Sequence, residues 1–506
     1  MTPKDSVRIK LLPSGRVLEL ARGTALHDVL FAEGVEFPCG GRGRCRGCRV
    51  RLLDGTLPVS AEEARRLTPA ELAAGWRLAC QARADGDLTL DLAQWETTIL
   101  TDESPLPFKP QEGLGVAVDL GTTTLAAQLL DLQTGQVLAV RTALNRQARF
   151  GADIMSRVEF AVLGGGQAEL TATIRAQVGQ LVAELLDGAR AAQGGLRHVV
   201  LVGNTVMHHL FCGLSLEPLA RVPFDSPHAG LQVFQPPQLG WSLPGSVTVR
   251  FLPCLGSFVG SDLLAGVLST GLHRSEPLTA LVDLGTNGEI VLGNRGKILC
   301  ASAAAGPAFE GARISVGMRA ATGAVAAVTV RDGTLQSHVL GGGPARGVCG
   351  SGLVDAVAGA LELGWLDARG RLVGRDSLPL APTVQLTRAD IRELQLAKGA
   401  IAAGLRLLLD EWGATPSDLE RLYLAGAFGN YISIPSARRI GLLELPSERV
   451  EPVGNTALRG AKLVLLELAQ TGGEYPDLLR KVRHVSLNEH PRFQETFVDC
   501  LSFPQA

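Results

Sequence analysis

The sequence predicts a small α+β module joined by a short linker to a duplicated α/β domain. Three observations carry that reading. Four of the nine cysteines, Cys39, Cys45, Cys48 and Cys80, crowd into the N-terminal stretch. Residues 94–113 hold Pro105, Pro107 and Pro110 with little apolar periodicity, as a linker does. Beyond them Val116-Ala-Val-Asp-Leu-Gly-Thr-Thr123 returns as Ala280-Leu-Val-Asp-Leu-Gly-Thr-Asn287, so one structural unit is used twice. The expected boundaries are 1–93 for the module, 94–113 for the linker, 114–275 for the first lobe and 276–506 for the second.

Within the module, Val7-Arg-Ile-Lys-Leu11 and Val17-Leu-Glu-Leu20 flank the turn Pro13-Ser-Gly15, a hairpin pattern. Thr24 is placed to cap a short helix over residues 25–32, which Gly34 ends. A loop of Gly, Arg and Cys follows, then the strand-like Arg49-Val-Arg-Leu-Leu53. In each copy of the repeat the motif strand leads to a second apolar strand, a glycine turn and a third strand. These are residues 125–130, 134–135 and 137–140 in the first copy, and 289–292, 294–296 and 297–300 in the second.

Composition narrows the class. Hydrophobic residues are 46% and charged residues 19%, enough apolar matter for large cores, which excludes disorder as a whole. Lys plus Arg is 48 against 50 for Asp plus Glu, a net charge of −2 that argues against a nucleic-acid partner. The start, Met1-Thr-Pro-Lys-Asp-Ser-Val7, has no apolar core of a secretory signal, and the cysteines do not frame disulfides, so a cytoplasmic location is expected. The most membrane-like run, residues 251–272, carries Asp262 as its only charge. It also holds Pro253, Gly256, Gly260, Gly266 and Gly271, which suits buried core and no membrane association.

Cys39-Gly-Gly-Arg-Gly-Arg-Cys45-Arg-Gly-Cys48 reads C-x5-C-x2-C, with Cys80 downstream. Four thiolates complete the ligand shell of a 2Fe–2S cluster, and the glycines let the chain wrap it and aim amides at sulfide. Zinc and plain core thiols stay open as alternatives, although zinc knuckles pair two short C-x2–4-C units and only Cys45 and Cys48 make one. Arg42, Arg44, Arg46, Arg49 and Arg51 form either a solvated face or a docking surface for an acidic redox partner. The order of hairpin, helix and cysteine loop resembles the 2Fe–2S ferredoxins of the β-grasp fold. Its first gap, longer than the plant-type spacing, resembles the adrenodoxin-like branch.

A strand ending in Asp-x-Gly-Thr sets a carboxylate and a turn of amide N–H groups at one edge. Asp119 can hold Mg²⁺ directly or through water. Gly121 permits the turn, and Thr122, Thr123 and Thr124 offer hydroxyls to phosphate. The second copy offers Asp283, Gly285, Thr286 and Asn287, with Glu289 near. A third piece, Leu422-Tyr-Leu-Ala-Gly426-Ala427-Phe-Gly429-Asn430, runs an apolar strand into small residues that let backbone approach a flat base. One such hexamer alone can be a plain hairpin. Together the pieces point to a nucleotide cleft, with a relic that no longer binds as the alternative. Their order resembles the phosphate 1, phosphate 2 and adenosine motifs of the acetate and sugar kinase, heat-shock chaperone and actin superfamily (ASKHA). That resemblance implies an RNase H-like duplicated fold, ATP with Mg²⁺ as cofactors, and Asp119 and Asp283 as the catalytic carboxylates. Gly426, Ala427 and Gly429 then belong to the base site.

More specific strings are Val202-Gly-Asn-Thr-Val-Met-His208, Ala305-Gly-Pro-Ala-Phe-Glu-Gly311, Ala345-Arg-Gly-Val-Cys-Gly-Ser-Gly352, Gln395-Leu-Ala-Lys-Gly-Ala400 and Gly454-Asn-Thr-Ala-Leu458. With the N-terminal module they closely resemble the reductive activators of corrinoid proteins, over nearly the whole chain. The resemblance implies an enzyme that passes one electron from the 2Fe–2S cluster to an inactive Co(II) corrinoid, using ATP, and restores Co(I) in a methyltransferase system. Its partners are then a corrinoid protein and a low-potential electron donor, with a homodimer left open. A ferredoxin-type electron-transfer or redox-sensing protein with a regulatory ATP domain is the other reading. His208 and His209 suit core packing better than metal or cobalt ligation, and Lys398 is either a nucleotide contact or part of a surface salt bridge.

Overall fold

The computed structural model describes residues 6–12, 15–30, 33, 35, 48–92, 110–151, 153–189, 195–285, 287–311, 313–318, 320, 323–340, 342–429, 431–468 and 475–505. It divides into two compact units, Met1–Ser269 with Thr456–Arg480, and Thr270–Asn455 with Lys481–Ala506.

The first unit begins with β1 (Ser6–Leu12), β2 (Val17–Ala21), β3 (Thr24–Ala25), α1 (Leu26–Leu30), β4 (Arg49–Asp54), α2 (Ala61–Arg66), α3 (Pro69–Ala73), β5 (Trp76–Leu78), β6 (Arg83–Ala84) and β7 (Leu88–Asp91). β1 buries Val7, Ile9 and Leu11 and exposes the residues between, the period-two pattern of a strand with one wet face. It pairs antiparallel with β2 and parallel with β7, in a sheet ordered β2-β1-β7-β4-β5. This is the β-grasp plan. Thr24 departs from expectation. It lies in β3, paired with β6, and its hydroxyl donates to the Ala21 carbonyl at 2.6 Å instead of capping α1. Ladder pairing outcompetes the cap at this position. The expected helix stop at Gly34 lies outside the described residues.

The same unit continues with β8 (Leu114–Leu120), β9 (Thr124–Asp131), β10 (Val137–Leu144), α4 (Ile154–Val162), α5 (Gln167–Gly188), β11 (Leu196–Val202), α6 (Thr205–Cys212), β12 (Gln232–Phe234), β13 (Thr248–Phe251) and α7 (Ser261–Thr270). The sheet order is β10-β9-β8-β11-β13-β12, with β8, β11 and β13 parallel. Helix α5 lays Leu170, Ile174, Val178, Leu181 and Leu185 on this core, a stripe with steps of three and four residues. Residues 251–272 become the end of β13, a loop, α7 and a short turn, with Leu252, Val259, Leu263, Leu264 and Val267 buried. Among the described residues no helix is long and apolar enough to cross a membrane.

The second unit holds β14 (Thr279–Leu284), β15 (Gly288–Gly293), β16 (Ile298–Ala303), β17 (Ala324–Arg331), β18 (Thr334–Val339), β19 (Gly347–Val348), α8 (Gly350–Glu362), β20 (Leu378–Ala381), β21 (Val384–Leu386), α9 (Arg388–Trp412), β22 (Arg421–Ala425), α10 (Gly426–Gly429), α11 (Ile434–Arg439) and β23 (Val450–Gly454). After it, α12 (Thr456–Glu467) packs on β8 and β11 of the first unit and α13 (Tyr475–Leu479) follows. β24 (Val482–His484) and α14 (Phe493–Leu501) rejoin the second unit. The large sheet is ordered β23-β22-β14-β15-β16-β24. Set beside the first unit, β16-β15-β14-β22-β23 repeats β10-β9-β8-β11-β13 in order and in strand direction. The sequence repeat is therefore a duplicated fold.

Candidate functional site

The strand pair β4 and β5 builds the cysteine end. Arg49 lies opposite Leu78, so Cys48 enters β4 where Cys80 has just left β5, and the Ala79 N–H donates to the Cys48 carbonyl at 2.9 Å. Cys48 is buried and Cys80 half-buried. Glu63 braces this end. Its Oε2 accepts the Ser60 N–H at 2.7 Å, completing the capping box of α2, and its Oε1 accepts the Leu78 N–H at 2.6 Å. Gln81 Nε2 donates to Cys80 Sγ at 3.6 Å. Two cysteines brought to one end of a strand pair, one of them met by an amide donor, fit an iron–sulfur group. Cys39 and Cys45, with Arg42, Arg44 and Arg46, lie outside the described residues.

Asp119 is half-buried near the end of β8, opposite Ala126 of β9 and Val202 of β11. Gly121, Thr122 and Thr123 form the turn that follows, and Thr124 opens β9. Three buried residues that the motif does not contain hold this turn. Asn145 Nδ2 donates to the Gly121 carbonyl, Arg157 Nη2 to the Thr122 carbonyl, and Asn204 Nδ2 to Thr122 Oγ1. Burial lowers the Arg157 pKa to about 10, with Asp153 opposing, so the guanidinium stays charged at neutral pH. Asp262, at the start of α7, is drawn well above the usual carboxylate range by burial and by the charge of Asp119. Its signal in the sequence was its place as the sole charge in an apolar run.

In the second unit Asp283 sits on β14 opposite Glu289 of β15 and Ala425 of β22. The parallel pairing of β14 with β22 thus brings the second phosphate motif beside the adenosine motif. Asn287 is half-buried, and its carbonyl accepts the Gly285 N–H at 3.2 Å. Thr286 lies outside the described residues. Gly426, Ala427 and Gly429 form α10, where Gly426 has φ +87° and Phe428 stacks on Phe309 at 4.8 Å between ring centroids.

The remaining candidates resolve into structure. His208 and His209 are fully buried. His209 Nδ1 lies 2.8 Å from the Thr205 carbonyl and Nε2 2.6 Å from Ser226 Oγ, so Nδ1 carries the proton and the Ser226 hydroxyl donates. Lys398 is not part of a surface ion pair. It is 1% exposed, its Nζ donates to the Ser502 carbonyl at 2.5 Å, and it lies over Phe503. Cys212, Cys254, Cys300, Cys349 and Cys500 are all buried.

Fold and motifs define a class: a 2Fe–2S ferredoxin of the β-grasp type in front of an ASKHA-type domain. Residues 9–85 match the 2Fe-2S iron-sulfur cluster binding domain, 114–275 the RACo middle region, and 277–506 the C-terminal domain of RACo, the ASKHA domain. The corrinoid activation enzyme RamQ of Eubacterium limosum is 34% identical over 432 residues, 79% of this chain and 72% of that one. The Co(II) methylated amine-specific corrinoid protein reductase of Methanosarcina barkeri is 30% identical over 388 residues, 70% of each. A solved reductive activator for corrinoid, iron-sulfur protein superposes with a TM-score of 0.70 at 26% identity, covering 99% of this chain and 98% of that one. The chain belongs to the family of reductive activators of corrinoid proteins, and it is an enzyme of that class. The ferredoxin match supports a 2Fe–2S cluster and the ASKHA match supports ATP binding.

Proposed function

We propose that this chain takes one electron from a low-potential donor at its N-terminal module and delivers it, at the cost of ATP, to the inactive Co(II) form of a corrinoid protein in a methyltransferase system, restoring Co(I). The observation that carries this is likeness along nearly the entire chain to a reductive activator for corrinoid, iron-sulfur protein. Cys39, Cys45, Cys48 and Cys80 hold the 2Fe–2S cluster, which when bound supplies a one-electron carrier. Glu63 keeps Cys80 in register with Cys48. Asp119 and Asp283 position Mg²⁺ and the attacking water. Thr122, Thr123, Thr124, Gly285, Thr286 and Asn287 hold phosphates, and Gly426, Ala427 and Gly429 border the base.

ATP is needed because the transfer is uphill: each ~59 mV of mismatch costs a factor of ten for one electron. ATP offsets this only if its affinity differs between two conformations, one of which makes the cobalt easier to reduce. The protein works in the cytoplasm, where a low-potential donor is at hand. The test is steady ATP turnover by the holoenzyme with and without the oxidised corrinoid protein. Stimulation is expected. ATP that binds but is not turned over faster in its presence would favour a regulatory switch instead.

A further inference from the structure

The turn between β8 and β9 has a polarity that its own motif does not dictate. Asn145 Nδ2 donates to the Gly121 carbonyl at 3.0 Å, and the Asn145 backbone N–H donates to the Thr123 carbonyl at 2.9 Å. Arg157 Nη2 donates to the Thr122 carbonyl at 2.6 Å. Three successive carbonyls are thereby drawn inward. Arg157 is in turn fixed by the Gly151 carbonyl at 3.0 Å and Gln147 Oε1 at 3.2 Å. Asn204 settles the remaining group. Its Oδ1 accepts the Met207 N–H at 3.0 Å, which caps α6 and decides which end of the amide is oxygen. Its Nδ2 therefore donates to Thr122 Oγ1, at 2.9 Å. With an acceptor site of that hydroxyl taken, its proton is left to give. Asn145 and Arg157 are at most 1% exposed and Asn204 is 7% exposed, and burying such groups is costly unless they are hydrogen-bonded, as these are.

We infer that Asn145, Arg157 and Asn204 are positioning residues that polarise this turn, so that it meets a ligand with hydrogen-bond donors and selects the ionised oxygens of a phosphate chain. This rests on the reading of the turn as the phosphate site and deepens it. The three side chains act on the turn, not on the nucleotide.

Asn204→Asp isolates the effect. Aspartate caps a helix as well as asparagine and has the same shape, but its carboxylate accepts from the Thr122 hydroxyl and turns that proton away. In the full-length protein, N204D should weaken binding of ATP and of inorganic tripolyphosphate roughly tenfold, the scale of one lost hydrogen bond to a charged group, and leave adenosine binding unchanged. Thr122→Val should do the same. The double variant should be no worse than T122V alone, since the hydroxyl through which N204D acts is gone. T122V weakening ATP while N204D does not would overturn the inference and leave the phosphate site standing. Additive losses would also overturn it, because simple charge repulsion would then explain N204D. T122V without effect on either phosphate ligand would sink the phosphate reading, and the inference with it. Asn145→Asp, which keeps its own cap to Gln147 but cannot donate to Gly121, carries the same expectation should N204D fail to fold. Adenosine binding falling alongside tripolyphosphate binding in that variant would mark a merely structural role.

Discussion

Gly426→Ala tests the link between the adenosine motif and Asp283. A Cβ at Gly426 would lie 2.6 Å from Asp283 Oδ1 and 2.8 Å from the Leu284 carbonyl oxygen, closer than side-chain carbons come in proteins. The carbonyl belongs to β14 and cannot swing away, so the Asp283 carboxylate or the start of α10 must move. The φ of +87° adds its own penalty for any L side chain, ~1 kcal/mol. Overpacking of this kind costs ~1–3 kcal/mol. Gly413 separates the two terms, for it ends α9 at φ +82° with nothing within 4 Å of a built Cβ. G413A should lose ~1 kcal/mol of stability and keep its ATP affinity. G426A should lose ~2–4 kcal/mol in all. If the displaced group is Asp283, ATP binding should weaken about 10- to 100-fold, read by titration calorimetry beside thermal melting. An ATP dissociation constant for G426A within twofold of G413A would refute the coupling. A side chain at this glycine would thus meet Asp283 and the Leu284 carbonyl before anything else.

Other consequences follow from single contacts. Glu63→Ala leaves the Ser60 and Leu78 N–H groups without their carboxylate. It should cost the N-terminal module ~2–4 kcal/mol and hasten loss of the cluster's visible absorbance in air, with ATP binding unchanged; an unaltered bleaching rate would count against the brace. Cys80→Ala should lose or cripple the cluster by iron content and reduced-state paramagnetic resonance. Cys500→Ala, a change within the packing of α14 on α9, should not. Asp119→Asn or Asp283→Asn should depress ATP hydrolysis without bleaching the cluster, and undiminished hydrolysis in both would remove them from the site. Burial, with His209 beside it, lowers the His208 pKa from 6.5 to about 3. The unfolded chain therefore takes up a proton that the folded one refuses. Stability should fall as pH drops from about 6.5 toward 3 and level off below, and His208→Leu should flatten part of that slope in melting experiments.

The parts of this protein legible in the sequence were those that repeat or that have fixed spacing. The Asp-Leu-Gly-Thr strings lie in equivalent strands, β8 and β14, because a strand, a tight turn and a second strand impose a local pattern. The residues whose roles were missed act at a distance. Asn145, Arg157 and Asn204 reach back 24, 35 and 82 positions to their partners in the turn, and no local periodicity encodes such contacts. Glu63 was readable as a helix capping-box acid, but its bond to Leu78 requires the packed module. Lys398 misled because a lysine on a long helix is usually wet. Here the C-terminal segment covers it, and burial lowers its pKa to about 8. Nor does the apolar pattern of α12 reveal which sheet it joins, since any sheet face would accept it; it packs on β8 and β11.

On the proposed function, electron delivery depends on ATP in one and the same chain. The most direct test is the visible spectrum of an oxidised corrinoid protein, followed under strict anaerobiosis with the intact chain and a chemical reductant. Co(I) should form quickly with ATP, fall sharply when ATP is omitted, and fail to form with the cluster-deficient Cys80→Ala chain. Equal rates of Co(I) formation with and without ATP would contradict that dependence and leave the duplicated domain without a part in the electron transfer.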